Sequence, residues 1–145
     1  MGPPADRPGE RSFPESVYPF QELTRRVIEG FYEVHRTFGF GYLESVYRRA
    51  LAVELHFRGI PIAQEVPFQL LHRGILVGHY RADLVVDSSV VVETKTGLLL
   101  DPVAPTQVLN YLKASGLPVG LVLHFGPRPE IKRVVLSTGR YQSVR

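Results

Sequence analysis

The chain has 145 residues, enough for one domain with a core of its own, and its 44% hydrophobic and 21% charged content is that of an ordinary globular protein. It contains no cysteine, which excludes disulfides, thiolate zinc sites and a cysteine nucleophile. No apolar run approaches the roughly 20 residues that span a bilayer, and the net charge of +3 fits an anionic partner without demanding one.

Residues 1–19 are rich in Pro, Gly and charge and read as a flexible tail. They lack the apolar segment of a signal peptide, so a cytoplasmic location without membrane attachment is expected. The folded unit is expected over residues 20–137. From about Pro19, Leu23, Val27, Phe31, Val34 and Phe38 recur at spacings of four and three, the stripe of an amphipathic helix that Gly39 and Gly41 break. A second helix is expected from about Tyr42 to Arg58, with Leu43, Val46, Tyr47, Ala50, Leu51 and Leu55 as its stripe and Gly59 as its end. Glu44 borders that stripe. An acid in a first turn suits the helix dipole, and this is its ordinary structural reading.

Strands follow. Ile62, Val66, Phe68 and Leu70 alternate with polar residues, and His72-Arg73-Gly74 marks a turn. The next strand runs from about Ile75 to Val86. Strict alternation places Leu76, Tyr80, Ala82, Leu84 and Val86 on one face and Asp83 on the other. Val90 to Thr96 is a β-branched strand on which Glu93 and Lys95 share a face and Thr94 points away. A helix beginning between Val103 and Thr106 reaches about Ser115, with Gln107 and Tyr111 one turn apart. Val119 to Phe125 is a continuous apolar strand, and Ile131 to Leu136 a last strand near an edge. Residues 138–145 are expected to fray. The order α-α-β-β-β-α-β-β defines an α/β protein with a mixed sheet flanked by helices.

Asp83, Glu93 and Lys95 place charge in two otherwise apolar strands, where it needs partners. Directly opposed residues of an antiparallel pair project to one face, with Cβ atoms about 5 Å apart. A three-residue loop, Asp87 to Ser89, or a bulge therefore brings Asp83 onto the face of Glu93, whereas a regular two-residue loop separates them. Two such carboxylates, the backbone carbonyl of Thr94 and Glu44 from the helix offer the oxygen ligands that Mg²⁺ or Mn²⁺ takes. A bound cation polarises a phosphate and acidifies a water, and Lys95 beside it can orient that water or accept its proton. The competing reading is a salt-bridge cluster, with Lys95 on Glu93 and Arg81 on Asp83. His35, near the end of the first helix, is a candidate phosphate contact, against a bland role at the helix C-terminus. Arg81 is another candidate, because arginine's forked donors suit phosphate.

Gly41-Tyr42-Leu43-Glu44-Ser45-Val46-Tyr47 resembles the signature of the GxxExxY protein family, placed in the PD-(D/E)XK nuclease superfamily. The resemblance extends through Glu33-Val34-His35, Tyr80-Arg81-Ala82-Asp83-Leu84, Glu93-Thr94-Lys95 and Gln107-Val108-Leu109-Asn110-Tyr111-Leu112-Lys113, covering roughly residues 21–136. It implies a restriction-endonuclease-like core and a divalent-metal-dependent nuclease acting on DNA rather than RNA. Asp83, Glu93, Lys95 and Glu44 would be its catalytic residues, with Asp83, Glu93, Glu44 and Thr94 holding the metal. Gln107 and Tyr111 are similar to the Q-x-x-x-Y motif of RecB-like nucleases and, with His35 and Arg81, would contact substrate. Thr94 stands where the family usually has an aliphatic residue, and Ala104 and Pro105 where it carries a histidine and an acid. Nucleases of this size and fold often work as homodimers to cut both strands. The alternative is a non-catalytic module that binds nucleic acid or protein and keeps the fold.

Overall fold

The computed structural model describes residues 20–137 and 140–144; the expected tail over residues 1–19 lies outside the described residues. Helices α1 (Gln21–Phe38) and α2 (Glu44–Phe57) precede strands β1 (Ile62–His72), β2 (Ile75–Val86) and β3 (Val90–Thr96). Helix α3 (Ala104–Ser115) and strands β4 (Val119–Phe125), β5 (Pro129–Ser137) and β6 (Arg140–Val144) follow. One sheet carries the strands in the order β1-β2-β3-β4-β5-β6. Among the described residues only β3 and β4 run parallel, and α3 makes the crossover that a parallel pair requires. The mixed sheet flanked by helices is the expected α/β architecture.

The sheet has a helical layer on each side. Val27, Phe31 and Val34 of α1 and Tyr47, Leu51 and Leu55 of α2 bury the stripes their spacing predicts against Leu84, Val86, Val90, Val92, Leu121 and Leu123. Ala104, Val108, Leu109 and Leu112 of α3 pack on the opposite face, against Ala82, Val85, Val91, Val122 and Val134. Every residue of β4 is buried, as a strand covered on both faces should be. Gly120 lets α3 approach closely, because a Cβ there would stand 2.3 Å from Val108 Cγ1.

Three expectations change. Leu43 is not in the α2 stripe: it stands before the helix in an extended conformation, 75% exposed, so that Glu44 becomes the first helical residue. The chain end does not simply fray, since Arg140–Val144 pairs antiparallel with β5, which is then no longer the edge. The strict alternation of β2 also fails. Ala82 packs on the α3 side but Leu84, two residues on, packs on the α1–α2 side. β1 switches at the same rung, with Ile62 against one core and Val66 against the other. The rung is that of Glu65 and Asp83, between Gln64↔Leu84 and Val66↔Ala82. Glu65 has φ 50°, a left-handed conformation that costs a non-glycine residue about 1–2 kcal/mol, and an ion pair from Arg48 of α2 at 3.5 Å holds it. Asp83 thus sits where the strand turns over.

Candidate metal centre

The β2–β3 loop has the three residues Asp87 to Ser89, with Val86 opposite Val90, Val85 opposite Val91 and Leu84 opposite Val92. Asp87 and Ser88 take left-handed backbone conformations, and the Ser89 N–H donates to the Val86 carbonyl at 2.9 Å. The same register sets Asp83 across from Glu93. The ladder itself stops at Leu84↔Val92, while β2 stays paired with β1 and β3 with β4 as far as Thr96↔Phe125. The two strands therefore fork, and the acids lie in the fork.

The fork leaves a backbone donor to be satisfied. The Thr94 N–H donates to Asp83 Oδ2 at 2.8 Å, and the Thr94 hydroxyl donates to the same oxygen at 2.7 Å. The Thr94 side chain thus does not point away, as alternation predicts. It is buried and fixes the Asp83 carboxylate across the gap.

Glu44 arrives from the other side of the sheet. Its position depends on the loop before α2, which Tyr47 pins: the Tyr47 hydroxyl donates to the Gly39 carbonyl and accepts the Tyr42 N–H at 3.2 Å. The Tyr47 ring is fully buried and stacks on Phe125 at 4.4 Å. Carboxylate oxygens of Glu44, Asp83 and Glu93 consequently lie within 4.8 Å of one another. Glu44 is half-buried and Glu93 is 5% exposed.

No ion pair among the described residues involves these three acids, and neither Lys95 nor Arg81 makes one. The salt-bridge cluster is not formed. Burial, followed by the Asp83 charge, pushes Glu93 up to about 8, with Lys95 opposing and Glu44 adding to the rise. Burial also raises Glu44; Lys95 and Arg48 pull it down and Asp83 pushes it up. Glu93 Oε2 is buried without a hydrogen-bond partner. An unpartnered oxygen beside two more carboxylates fits a hard divalent cation, which takes oxygen ligands.

Tyr111 faces this centre from α3. Burial and then the charges of Glu93 and Asp83 raise its hydroxyl to about 12, so it stays a protonated donor. Its ring meets that of Tyr80 edge-to-face at 5.0 Å. Gln107 lies one turn earlier, exposed. Arg81 is exposed on β2, two residues from Asp83. His35 is not among the converging groups; its Nε2 is 2.8 Å from the Gly126 carbonyl, and its ring stacks on Phe125. Ala104, where the resemblance places a histidine, is fully buried in the α3 core and could not accept one without displacement.

Two neighbours of the candidate site are not anticipated by the sequence. His124, directly beside Lys95 in the parallel ladder, is fully buried and places Nε2 2.9 Å from the Gly97 carbonyl, just past the site strand. Tyr80 backs Tyr111. A histidine inside an apolar strand is a visible anomaly, but its partner lies 27 residues away in sequence.

Two acids at a fork in the sheet, a third from α2 and a lysine two residues past the second could hold a divalent cation with a basic group beside it. The sequence profile of the PD-(D/E)XK nuclease superfamily matches residues 21–134, and the chain belongs to that superfamily, whose members generally hydrolyse phosphodiester bonds with divalent metals. Among solved structures, one titled "Crystal structure of SSO0001" superposes with a TM-score of 0.52 at 19% identity. The match covers 85% of this chain and 62% of that one, a likeness of fold. No curated protein matches the sequence.

Proposed function

We propose that this protein is a nuclease of the GxxExxY branch that hydrolyses phosphodiester bonds in DNA with Mg²⁺ or Mn²⁺. The observation that carries the reading is the convergence of Glu44, Asp83 and Glu93 with no cationic side chain in contact and with Glu93 Oε2 unpartnered. Asp83 and Glu93 would hold the ion, with Glu44 and the Thr94 carbonyl completing its oxygen set. When bound, such an ion polarises the scissile phosphate and acidifies a coordinated water.

The chain's own residues supply the rest. Thr94 keeps Asp83 aimed into the fork through two hydrogen bonds. Lys95, on the strand of Glu93, serves the attacking water as proton acceptor or orienting donor and stabilises the charge that develops on the phosphate. Tyr111 offers a protonated hydroxyl to a phosphate oxygen, Gln107 one turn earlier on α3 flanks the same approach, and Arg81 on β2 is an exposed cation for a phosphate further along the strand. A second copy of the chain would be needed to cut both strands of a duplex in one encounter.

The test is cleavage of single-stranded, duplex and branched DNA in Mg²⁺, in Mn²⁺ and in chelator. Wild type should cut only with metal, and Asp83→Ala and Lys95→Ala should not cut. Equal residual cleavage by all three proteins would mark a contaminant and overturn the reading.

A further inference from the structure

Beyond the acidic fork, the distal half of the β1–β2 hairpin is largely exposed and forms a groove with α3 of about 570 Å³. Gln69, Leu71 and Tyr80 line one wall, and Asn110 and Lys113 the other. We propose that this groove seats a single strand of nucleic acid as it passes to or from the site, with a base stacked on Tyr80 and a phosphate on Lys113. The proposal rests on the nuclease reading and adds the path of its substrate.

Continuity with the site is the first argument. Tyr80 belongs to the groove and meets Tyr111, the α3 residue facing the acids. Asp83 lies three positions on from Tyr80, about 10 Å of strand at roughly 3.3 Å per residue. A polymer bound in the groove therefore reaches the reacting phosphate within a short run of nucleotides.

Charge is the second. Between Val66 and Ala82 there is no acid, but there are Arg73, Arg81, His72 and His79. Helix α3 likewise has no acid and one lysine, Lys113. Among the described residues, Arg73, Arg81 and Lys113 make no ion pair. Lys113 is thus the one charged residue lining the groove, with no acid beside it, which suits a polyanion.

The third argument is what the walls offer. Tyr80 is 37% exposed, so part of its ring is open to a base, and stacking of this kind is how single strands are held without sequence preference. Gln69 and Asn110 carry amides that donate to and accept from base edges. The volume suits a ligand of nucleotide size rather than a double helix.

The experiment measures fluorescence anisotropy of a labelled 12-nucleotide single strand and of the matching duplex. The Lys95→Ala protein is the parent, so that binding is read without cleavage. Adding Lys113→Glu should weaken single-strand binding about tenfold or more and lower the salt slope by roughly 0.7 for each phosphate no longer neutralised. Adding Tyr80→Ala should weaken it by a similar factor, and Tyr80→Phe should restore it. In parallel, wild type and Lys113→Glu with the native Lys95 hydrolyse bis(p-nitrophenyl) phosphate, a diester too small to reach the groove, at rates within twofold. Unchanged single-strand affinity in Lys113→Glu and Tyr80→Ala, with metal-dependent hydrolysis of the small diester intact, overturns the groove and leaves the site standing. Equal weakening for duplex and single strand overturns the single-strand path. Wild type that neither binds the strands nor hydrolyses the small diester overturns both readings.

Discussion

The outer face of α1 and the β2–β3 fork use the same residue types in opposite ways. On α1, Arg25 bridges Glu22 and Glu29 at 2.6 and 2.7 Å, and Arg36 pairs with Glu33. These acids are solvated and spaced three or four residues from an arginine, where a helix brings charges together. In the fork, three carboxylates converge across the sheet, one of them buried, with no basic group in contact. Pairing acids with arginines is available to this chain, and the fork forgoes it. A cluster without a basic partner is what the proposed metal centre requires, because an external cation can then take its oxygens.

This contrast can be broken at several points. The largest effect expected is on turnover: Lys95→Met should lower metal-dependent DNA cleavage roughly 100- to 10,000-fold, the usual span for losing a proton-transfer group. Single-turnover kinetics at saturating metal measures it, and a loss below tenfold would remove Lys95 from the chemistry.

The next effect is on stability. Glu93 is held near 8 in the fold, against an ordinary 4.5. Between those values the folded protein holds more protons than the unfolded one, so metal-free stability falls as pH rises from about 4.5 to about 8 and then levels off. Glu93→Gln removes the charge. In chelator it should melt above wild type at pH 9, lose that advantage at pH 4, and show no stabilisation by Mn²⁺. A wild-type Tm that climbs from pH 5 to 8 in chelator would contradict the buried, uncompensated carboxylate.

Gly120→Ala comes third. Its methyl would intrude on Val108, and overpacking of this kind costs typically 1–3 kcal/mol. Urea denaturation should show the loss with the metal response intact. The smallest effect belongs to the α1 face, where Arg25→Ala should leave both the melting temperature and cleavage unchanged within error, because exposed pairs contribute little.

Much of this is legible in the chain. The stripe of α1 and the buried run of β4 follow from periodicity, which is local, and the three-residue Asp87-Ser88-Ser89 loop from the parity that lets Asp83 and Glu93 share a face. So does the meeting of Asp83 and Glu93, a consequence of register. What is not legible depends on contacts between distant residues. The reversal of alternation at Asp83 arises with Glu65 in a left-handed conformation and Arg48 on another element, and no spacing rule announces it. Strict alternation points Thr94 the wrong way for that reason: it does not anticipate the hydrogen bonds to Asp83 at the fork. His35 illustrates the opposite case. Its position near a glycine turn suggests the site, yet the Gly126 carbonyl, 91 residues away, engages it.

The claim that the fork is a metal centre is tested most directly by anomalous diffraction from a crystal soaked in Mn²⁺. The account predicts a peak between Asp83 and Glu93, with carboxylate oxygens at about 2.1–2.3 Å, and its loss in Asp83→Ala crystals soaked identically. A fork without an anomalous peak in wild type, at a manganese concentration that supports cleavage, would contradict it.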